Sequence, residues 1–398
     1  MKQTFSQKQR AVLREASARW NIMSGAVRSG KTHGSYYLLP MRVKHQGKGD
    51  FLLIGKTERT LKRNVLNPMR NLFGEGLISH VYGDGEIKLF GRHAYIVGAN
   101  DERAVTKIQG MGIVYGYGDE VPTWPESFFE MLKSRLSEPG AKFDGTCNPE
   151  SPYHWLKEFI DTAGNLRHWH FHIDDNPFLD RDFVESLKSE YTGLWYKRYI
   201  EGLWVLAEGV IYDMWDEGKH VVDELPEARD YYVSIDYGTG NPTAFGLYGV
   251  AGSAWKVKEY FYDHTKHGRQ KTDSEFSEDL KKFLGGITPK QIIVDPSALS
   301  FKTQLKKDGF LNVKDADNSV IDGIRTQATM LQTGKYKVHR SCRETIREYS
   351  GYVWDTKAQA KGEDKPMKQN DHTKDEERYF LHTIFGRDRR LVAGTNIY

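Results

Sequence analysis

Residues 20–32 read WNIMSGAVRSGKT, a short apolar run that leads into G-x-x-x-x-G-K-[ST] over Gly25–Thr32. The run is strand-sized and the residues after Lys31 are helical in pattern, so the motif lies between a strand and a helix, the context a phosphate-binding loop requires. Gly25 and Gly30 let the backbone curl until its N–H groups, with the helix N-terminus behind them, face phosphate oxygens. Ser29 lies within this cradle. Lys31 is placed to contact the β and γ phosphates of a nucleoside triphosphate, and Thr32 to ligate Mg²⁺. Arg28, inside the loop, is either a finger supplied in cis to the γ-phosphate or a solvent-facing arginine. Upstream, Gln9 is either a reader of adenine through its amide or an exposed polar helix residue.

Outward from this loop, apolar strands alternate with helical stretches, the arrangement of a mostly parallel α/β sheet. Strands are expected at Trp20–Ser24, Phe51–Ile54, Ile113–Tyr117, Lys142–Thr146 and Trp169–Ile173, with helices from Lys31, Glu58 and Glu126 and a hairpin, Glu86–Phe90 and Ala94–Gly98, turned at Gly91. The strand Ile113–Tyr117 runs through Gly118 into Asp119 and Glu120. Beside a P-loop, the first acid would hold Mg²⁺ and the second would polarise an attacking water, which favours hydrolysis over transfer to another acceptor. Thr146, Cys147, Asn148 and Pro149 close the next strand, placing Thr146 and Asn148 at the carboxyl edge of the sheet, beside the γ-phosphate.

Asp180–Tyr199 is helical in pattern. Its aromatics Trp195, Tyr196 and Tyr199, with Trp204, suit the apolar face of a packed helix better than a base-stacking platform. The polar, proline-containing stretch 217–230 reads as a boundary, giving a first domain over 1–206, a linker over 207–230 and a second domain over 231–398. Three consecutive strands, Tyr231–Ile235, Thr243–Tyr248 and Ala254–Tyr262, are then followed by a helix (Thr272–Leu284), a buried strand (Gln291–Val294) and further helices, the order of a ribonuclease-H-like core. Asp236 and Asp295 end two of these strands, and Asp371, His372 and Asp375 open a helix. Three or four convergent carboxylates suit two Mg²⁺ or Mn²⁺ ions for in-line attack on a phosphodiester. Segment Thr356–Lys374 is highly charged and expected to be a mobile loop.

Composition excludes several classes. The 398 residues include 38% hydrophobic and 28% charged side chains, enough apolar material for two cores, and no run approaches the roughly 20 apolar residues of a spanning helix. The N-terminus has no apolar signal region, and the two cysteines, Cys147 and Cys342, form no zinc or disulfide pattern. An intracellular, reduced protein is expected. The net charge of +3 permits a nucleic-acid partner without demanding one.

With GAVRSGKT, YGYGDE and DGTCNP in the first half and SIDYG, IIVDPS and DHTKDEERY in the second, the sequence resembles the large terminase subunit of tailed bacteriophages over nearly its whole length. The resemblance implies an α/β fold of two parts, an N-terminal ASCE P-loop ATPase that drives double-stranded DNA into a procapsid and a C-terminal ribonuclease-H-like nuclease that cuts the concatemer. It implies ATP, Mg²⁺ at the ATPase site, and Mg²⁺ or Mn²⁺, two ions, at the nuclease site. Lys31, Thr32, Asp119 and Glu120 match the Walker residues, Arg28 the P-loop arginine, Thr146–Pro149 the coupling motif, and Gln9, or Gln7, the adenine motif. Asp236, Asp295 and Asp375 match the nuclease acids, with Asp371 and His372 also within reach of a metal. The implied partners are double-stranded DNA, a small terminase subunit and a portal protein, the subunits forming a ring when packaging and a monomer in isolation, in the host cytoplasm and not at a membrane. The rival class is a non-packaging P-loop DNA ATPase, of helicase or repair type, with a ribonuclease-H-like appendage. A helicase needs a second motor unit, and the second half offers no further P-loop.

Overall fold

The apolar run before the P-loop forms a strand buried along its length, β1 (Trp20–Gly25), in a computed structural model whose described residues are 5–386 apart from 82, 84, 239, 240 and 370. The chain divides into two compact units, one comprising residues through Glu185 plus Leu194–Leu206, the other comprising Ser186–Gly193 and the chain from Ala207 onward.

In the first unit β1 is joined by β2 (Asp50–Gly55), β3 (Glu86–Leu89), β4 (Arg92–Gly98), β5 (Ile113–Gly118), β6 (Lys142–Cys147) and β7 (Leu166–Phe171) in the order β3-β4-β2-β5-β6-β1-β7. All neighbours are parallel except the β3–β4 hairpin, which turns on Phe90 and Gly91, both at positive φ. β6 lies between the P-loop strand β1 and the acid-bearing strand β5, the ASCE arrangement. Alternation along the strands feeds two apolar layers: Ile22, Leu52, Ile54 and Phe143 face one side, and Phe51, Leu53, Val114 and Tyr117 the other.

The second unit is built on β8 (Val221–Val222), β9 (Asp230–Asp236), β10 (Thr243–Ala251), β11 (Ser253–Tyr262), β12 (Gln291–Val294), β13 (Val313–Asp315) and β14 (Tyr336–His339), ordered β13-β12-β9-β10-β11-β14-β8. β9, β10 and β11 form an antiparallel meander and β12 adds parallel to β9, which is the ribonuclease-H-like order. Val233, Ile235, Phe245 and Leu247 pack against helices Asp273–Leu284 and Leu299–Lys307 on one face. On the other lies the helix His372–Phe385, whose Phe380 stacks on Tyr248 with ring centroids 3.9 Å apart.

Three expectations change here. Residues 207–230 are not a free connector: Tyr212 and His220 are buried, Trp215 stacks on Tyr349 at 3.6 Å, and β8 pairs with β14. The aromatics bury although the surrounding sequence is polar. The helical stretch 180–199 is two helices, Arg181–Glu190 and Gly193–Tyr199, broken at Gly193 with φ 51°. The charged segment 356–374 is structured, with a helical turn Thr356–Gln359, a bridge from Trp354 to Pro366, and Thr373 and Lys374 buried. The charges of the closing helix have buried partners, which reverses the reading from composition: Lys256 pairs with Glu376 at 2.7 Å, both side chains fully buried, while Lys374 pairs with Glu377, and Tyr336 donates to Glu377. β10 passes beneath Glu376 only because position 246 is glycine, where a Cβ would lie 2.0 Å from the Glu376 carboxylate.

Candidate functional sites

The P-loop joins β1 to the helix Lys31–His45, and its backbone is set by two residues in the left-handed region, Arg28 (φ 58°) and Gly30 (φ 87°). Asn176 Nδ2 donates to the Arg28 carbonyl at 2.7 Å, and Ser29 Oγ to the Ala26 carbonyl at 2.8 Å. Gln9 Nε2 donates to the Gly30 carbonyl at 2.8 Å while its Oε1 accepts from Ser6 N–H in a capping box, so Gln9, buried, and not the exposed Gln7, touches the loop. One N–H and one lone pair of its amide remain for a ligand.

Lys31 turns into the loop, donating to Gly25 O at 3.2 Å, Ala26 O at 2.8 Å and Asn148 Oδ1 at 2.8 Å. Burial lowers its ammonium to about 8, against the pull of Cys147, Asp119 and Glu120. Asp119 follows β5 and is buried. Thr146 Oγ1 donates to it at 2.9 Å and Asn64 Nδ2 at 3.4 Å. Burial raises the Asp119 carboxyl, opposed by those two donors and by Lys31. Glu120 sits at φ 53°, so among the described residues two of the three non-glycine positions with positive φ, Arg28 and Glu120, belong to this site. Such strain costs on the order of 1–3 kcal/mol and clusters where function holds it. Thr32, half-buried at the start of its helix, and Asp119 are side chains whose oxygens could hold Mg²⁺. Beneath the loop, Asp144 on β6 accepts a forked pair of bonds from Arg42 (2.7 and 2.8 Å), with Tyr115 and Asn21 also donating, tying the P-loop helix to the strand that carries Thr146. Trp195 and Tyr199 are buried and stacked on each other, and Trp204 packs on a core cluster, so these aromatics serve packing.

In the second unit the pairing of Val294 with Ile235 sets Asp295 and Asp236 side by side at the ends of adjacent parallel strands. The closing helix contributes to each acid. His372 Nδ1 is 3.1 Å from Asp236 Oδ2, Tyr379 donates to Asp295 Oδ2 at 2.6 Å, and Arg378 donates to Asp375 Oδ1 at 2.9 Å. Burial raises Asp236 to about 6; His372 pulls it down, and the charges of Asp375 and Asp295 push it up. Burial also pushes Asp295 up, but donors from Ser297 and Tyr379 outweigh it and hold that carboxyl below the usual range. Lys368 bridges Asp375 Oδ2 at 2.8 Å and Asp371 Oδ2 at 3.2 Å.

The expected ligand set is therefore only partly assembled. Among the described residues no three acidic, histidine or cysteine groups are gathered closely enough to hold an ion outright. His372 is turned onto Asp236, and the charge of Asp375 is taken up by Arg378 and Lys368. The pair Asp236 and Asp295 fits a hard cation by its chemistry: two adjacent carboxylates, one mostly desolvated, each within reach of the other's charge. Sequence reasoning missed Asn64, Asp144, Lys368, Arg378 and Tyr379. Asp144 carried a signal, an acid inside an otherwise buried strand that needs a buried partner. No pattern marked Lys368 or Tyr379.

One unit thus carries a P-loop on a parallel sheet, the other a sheet in ribonuclease-H-like order, a two-part α/β chain. Residues 22–218 match the family described as terminase large subunit, T4likevirus-type, N-terminal. The chain is 43% identical to the solved large terminase of a thermophilic bacteriophage, covering 96% of this chain and 99% of that one with a TM-score of 0.90. A further structure of that phage protein, in complex with ATP-gamma-S, matches with 42% identity, the same coverage and a TM-score of 0.88. The terminase large subunit of Escherichia phage T5 is 24% identical over 278 residues, an alignment that spans 65% of this chain and 62% of the T5 protein, under two thirds of its length. The chain belongs to the large terminase subunit family. Among the described residues no helix is long and apolar enough to cross a membrane.

Proposed function

We propose that this large terminase subunit hydrolyses ATP at the P-loop of its first unit to move double-stranded viral DNA into a procapsid, and cuts the concatemer with a divalent cation at Asp236 and Asp295 of its second. The observation that carries the reading is the presence on one chain of two hydrogen-bonded pairs at a P-loop, Lys31 with Asn148 and Asp119 with Thr146, and a pair of adjacent strand-end carboxylates.

In the ATPase site Lys31 would exchange its carbonyl partners for phosphate oxygens, and Thr32 and Asp119 would hold Mg²⁺, which when bound screens phosphate charge. Glu120 accepts a proton from the attacking water, and Arg28 faces the γ-phosphate. Thr146, bonded to Asp119, and Asn148, bonded to Lys31, both sit on the segment that ends β6, so loss of the γ-phosphate changes the partners of one strand end. The thermophilic-phage relative solved with ATP-gamma-S supports nucleotide at this loop. In the nuclease site Asp236 and Asp295 would hold Mg²⁺ or Mn²⁺, which when bound activates water and stabilises the leaving oxygen. A third acid would come from Asp375, here paired with Arg378 and Lys368, with Asp371 and His372 in support and two ions as the full complement. Double-stranded DNA, a small subunit and a portal are the partners, the working form a ring, the setting the host cytoplasm. The helicase alternative lacks a second P-loop in the sequence. The test is plasmid DNA incubated with the purified protein and Mn²⁺ or Mg²⁺, with and without ATP. Metal-dependent cleavage together with ATP turnover is expected; absence of both overturns the reading.

A further inference from the structure

The acid Asp295 accepts three hydrogen bonds from neutral donors. Its Oδ1 accepts two bonds from Ser297, from the backbone N–H at 2.7 Å and from Oγ at 2.6 Å, and its Oδ2 accepts one from the Tyr379 hydroxyl at 2.6 Å. A carboxylate offers about four in-plane lone pairs, two per oxygen. Ser297 fills both on Oδ1. Tyr379 fills one on Oδ2. Among the described partners, a single Oδ2 lone pair is left, on the oxygen that Ser297 does not reach.

We propose that Tyr379 is a positioning residue of the nuclease site, its hydroxyl locking Asp295 so that one Oδ2 lone pair is presented to a divalent cation as a monodentate ligand. The phenol is well placed for this. Tyr379 is buried with its ring against the Arg378 guanidinium at 4.8 Å, so the hydroxyl is carried by a side chain with little freedom. It lies seven residues after His372, two helical turns along the same face, and His372 meets Asp236 as Tyr379 meets Asp295. One helix face thus orients both strand-end acids. Partners of this kind, one shell out from a metal, set the orientation and the basicity of the ligand.

The inference rests on reading Asp236 and Asp295 as the cation-holding pair, and the test separates the two. Mn²⁺ binding to the full chain is measured by electron paramagnetic resonance for the wild type, Tyr379→Phe, Ser297→Ala and Asp295→Ala, with a thermal melt of each. Tyr379→Phe removes one oxygen and keeps the ring, so its melt should stay near wild type, and its Mn²⁺ dissociation constant should rise on the order of 10-fold, the low end for an outer-shell partner. Its cleavage rate should recover at saturating Mn²⁺, whereas damage to the fold would lower the rate at every concentration. Wild-type Mn²⁺ affinity in a folded Tyr379→Phe, with affinity lost in Asp295→Ala, overturns the role of Tyr379 alone. Wild-type affinity in Asp295→Ala overturns the metal assignment and the tyrosine's role with it.

Discussion

Lys31 Nζ donates to Asn148 Oδ1 at 2.8 Å across 117 positions of sequence, so the P-loop lysine is joined to the segment that ends β6. The same burial that permits this contact lowers the ammonium to about 8 from an ordinary 10.5. The charge that attracts phosphate is present below that value and lost above it. Nucleotide affinity should therefore fall as pH rises from about 7 through about 9, and binding of a fluorescent ATP analogue across that range measures it. Lys31→Arg, charged throughout, should flatten the profile. For folding the sign is opposite: between about 8 and 10.5 the unfolded chain binds the extra proton, so this group adds stability as pH rises across that window.

The two sites lie in separate units, and their activities should separate. Glu120→Gln removes the proton acceptor and should cut ATP turnover by on the order of 10²–10⁴ while leaving metal-dependent nicking intact. Asp236→Ala and Asp295→Ala should do the reverse. Paired ATPase and plasmid assays check both directions, and a folded Glu120→Gln that no longer nicks would contradict the two-site arrangement.

Lys368 places an ammonium between Asp371 and Asp375, where it would compete with any cation these acids held. Its side chain is 66% exposed, so its repulsion of a cation is largely screened, on the order of the 1 kcal/mol that two unit charges roughly 4 Å apart exchange in water, or roughly 5-fold in concentration. Lys368→Ala should lower the Mn²⁺ concentration giving half-maximal cleavage by about that factor. A higher requirement would mean that the lysine helps the site instead.

Lys256 and Glu376 meet where neither touches solvent. Lys256→Ala leaves a buried carboxylate without its counter-ion and should cost about 3–5 kcal/mol in urea unfolding, whereas Lys256→Met combined with Glu376→Gln should cost much less. Equal losses in the single and double variants would show that packing, not charge, is what matters there.

The P-loop half was legible because its chemistry is local: GAVRSGKT and YGYGDE each put turn residues, polar groups and a strand within a few positions of one another, and the strands themselves followed from short apolar runs. Asp236 and Asp295 were legible for the same reason, each ending its own strand. The fate of Asp375 was not, because Lys368 and Arg378 reach it through tertiary folding that no spacing encodes. Composition misled at 356–374 and 207–230, where charges and prolines suggested solvent. The structure instead finds buried counter-ions for Lys374 and Glu377 and a ring partner for Trp215. A charged residue discloses its burial only through its partner, and the strand-borne partners here, Lys256 and Tyr336, lie far away in sequence.

The last described helix has a consequence in time. His372 and Asp236 are 136 positions apart, and Tyr379 and Asp295 are 84 apart. Both contacts wait on residues of the closing helix, which are synthesised after either acid and after every P-loop partner named above. A chain emerging from the ribosome would complete the P-loop early and carry both strand-end acids long before the side chains that aim them existed. On this order of events the phosphate-binding loop is assembled while the two strand-end acids still wait for the side chains that orient them.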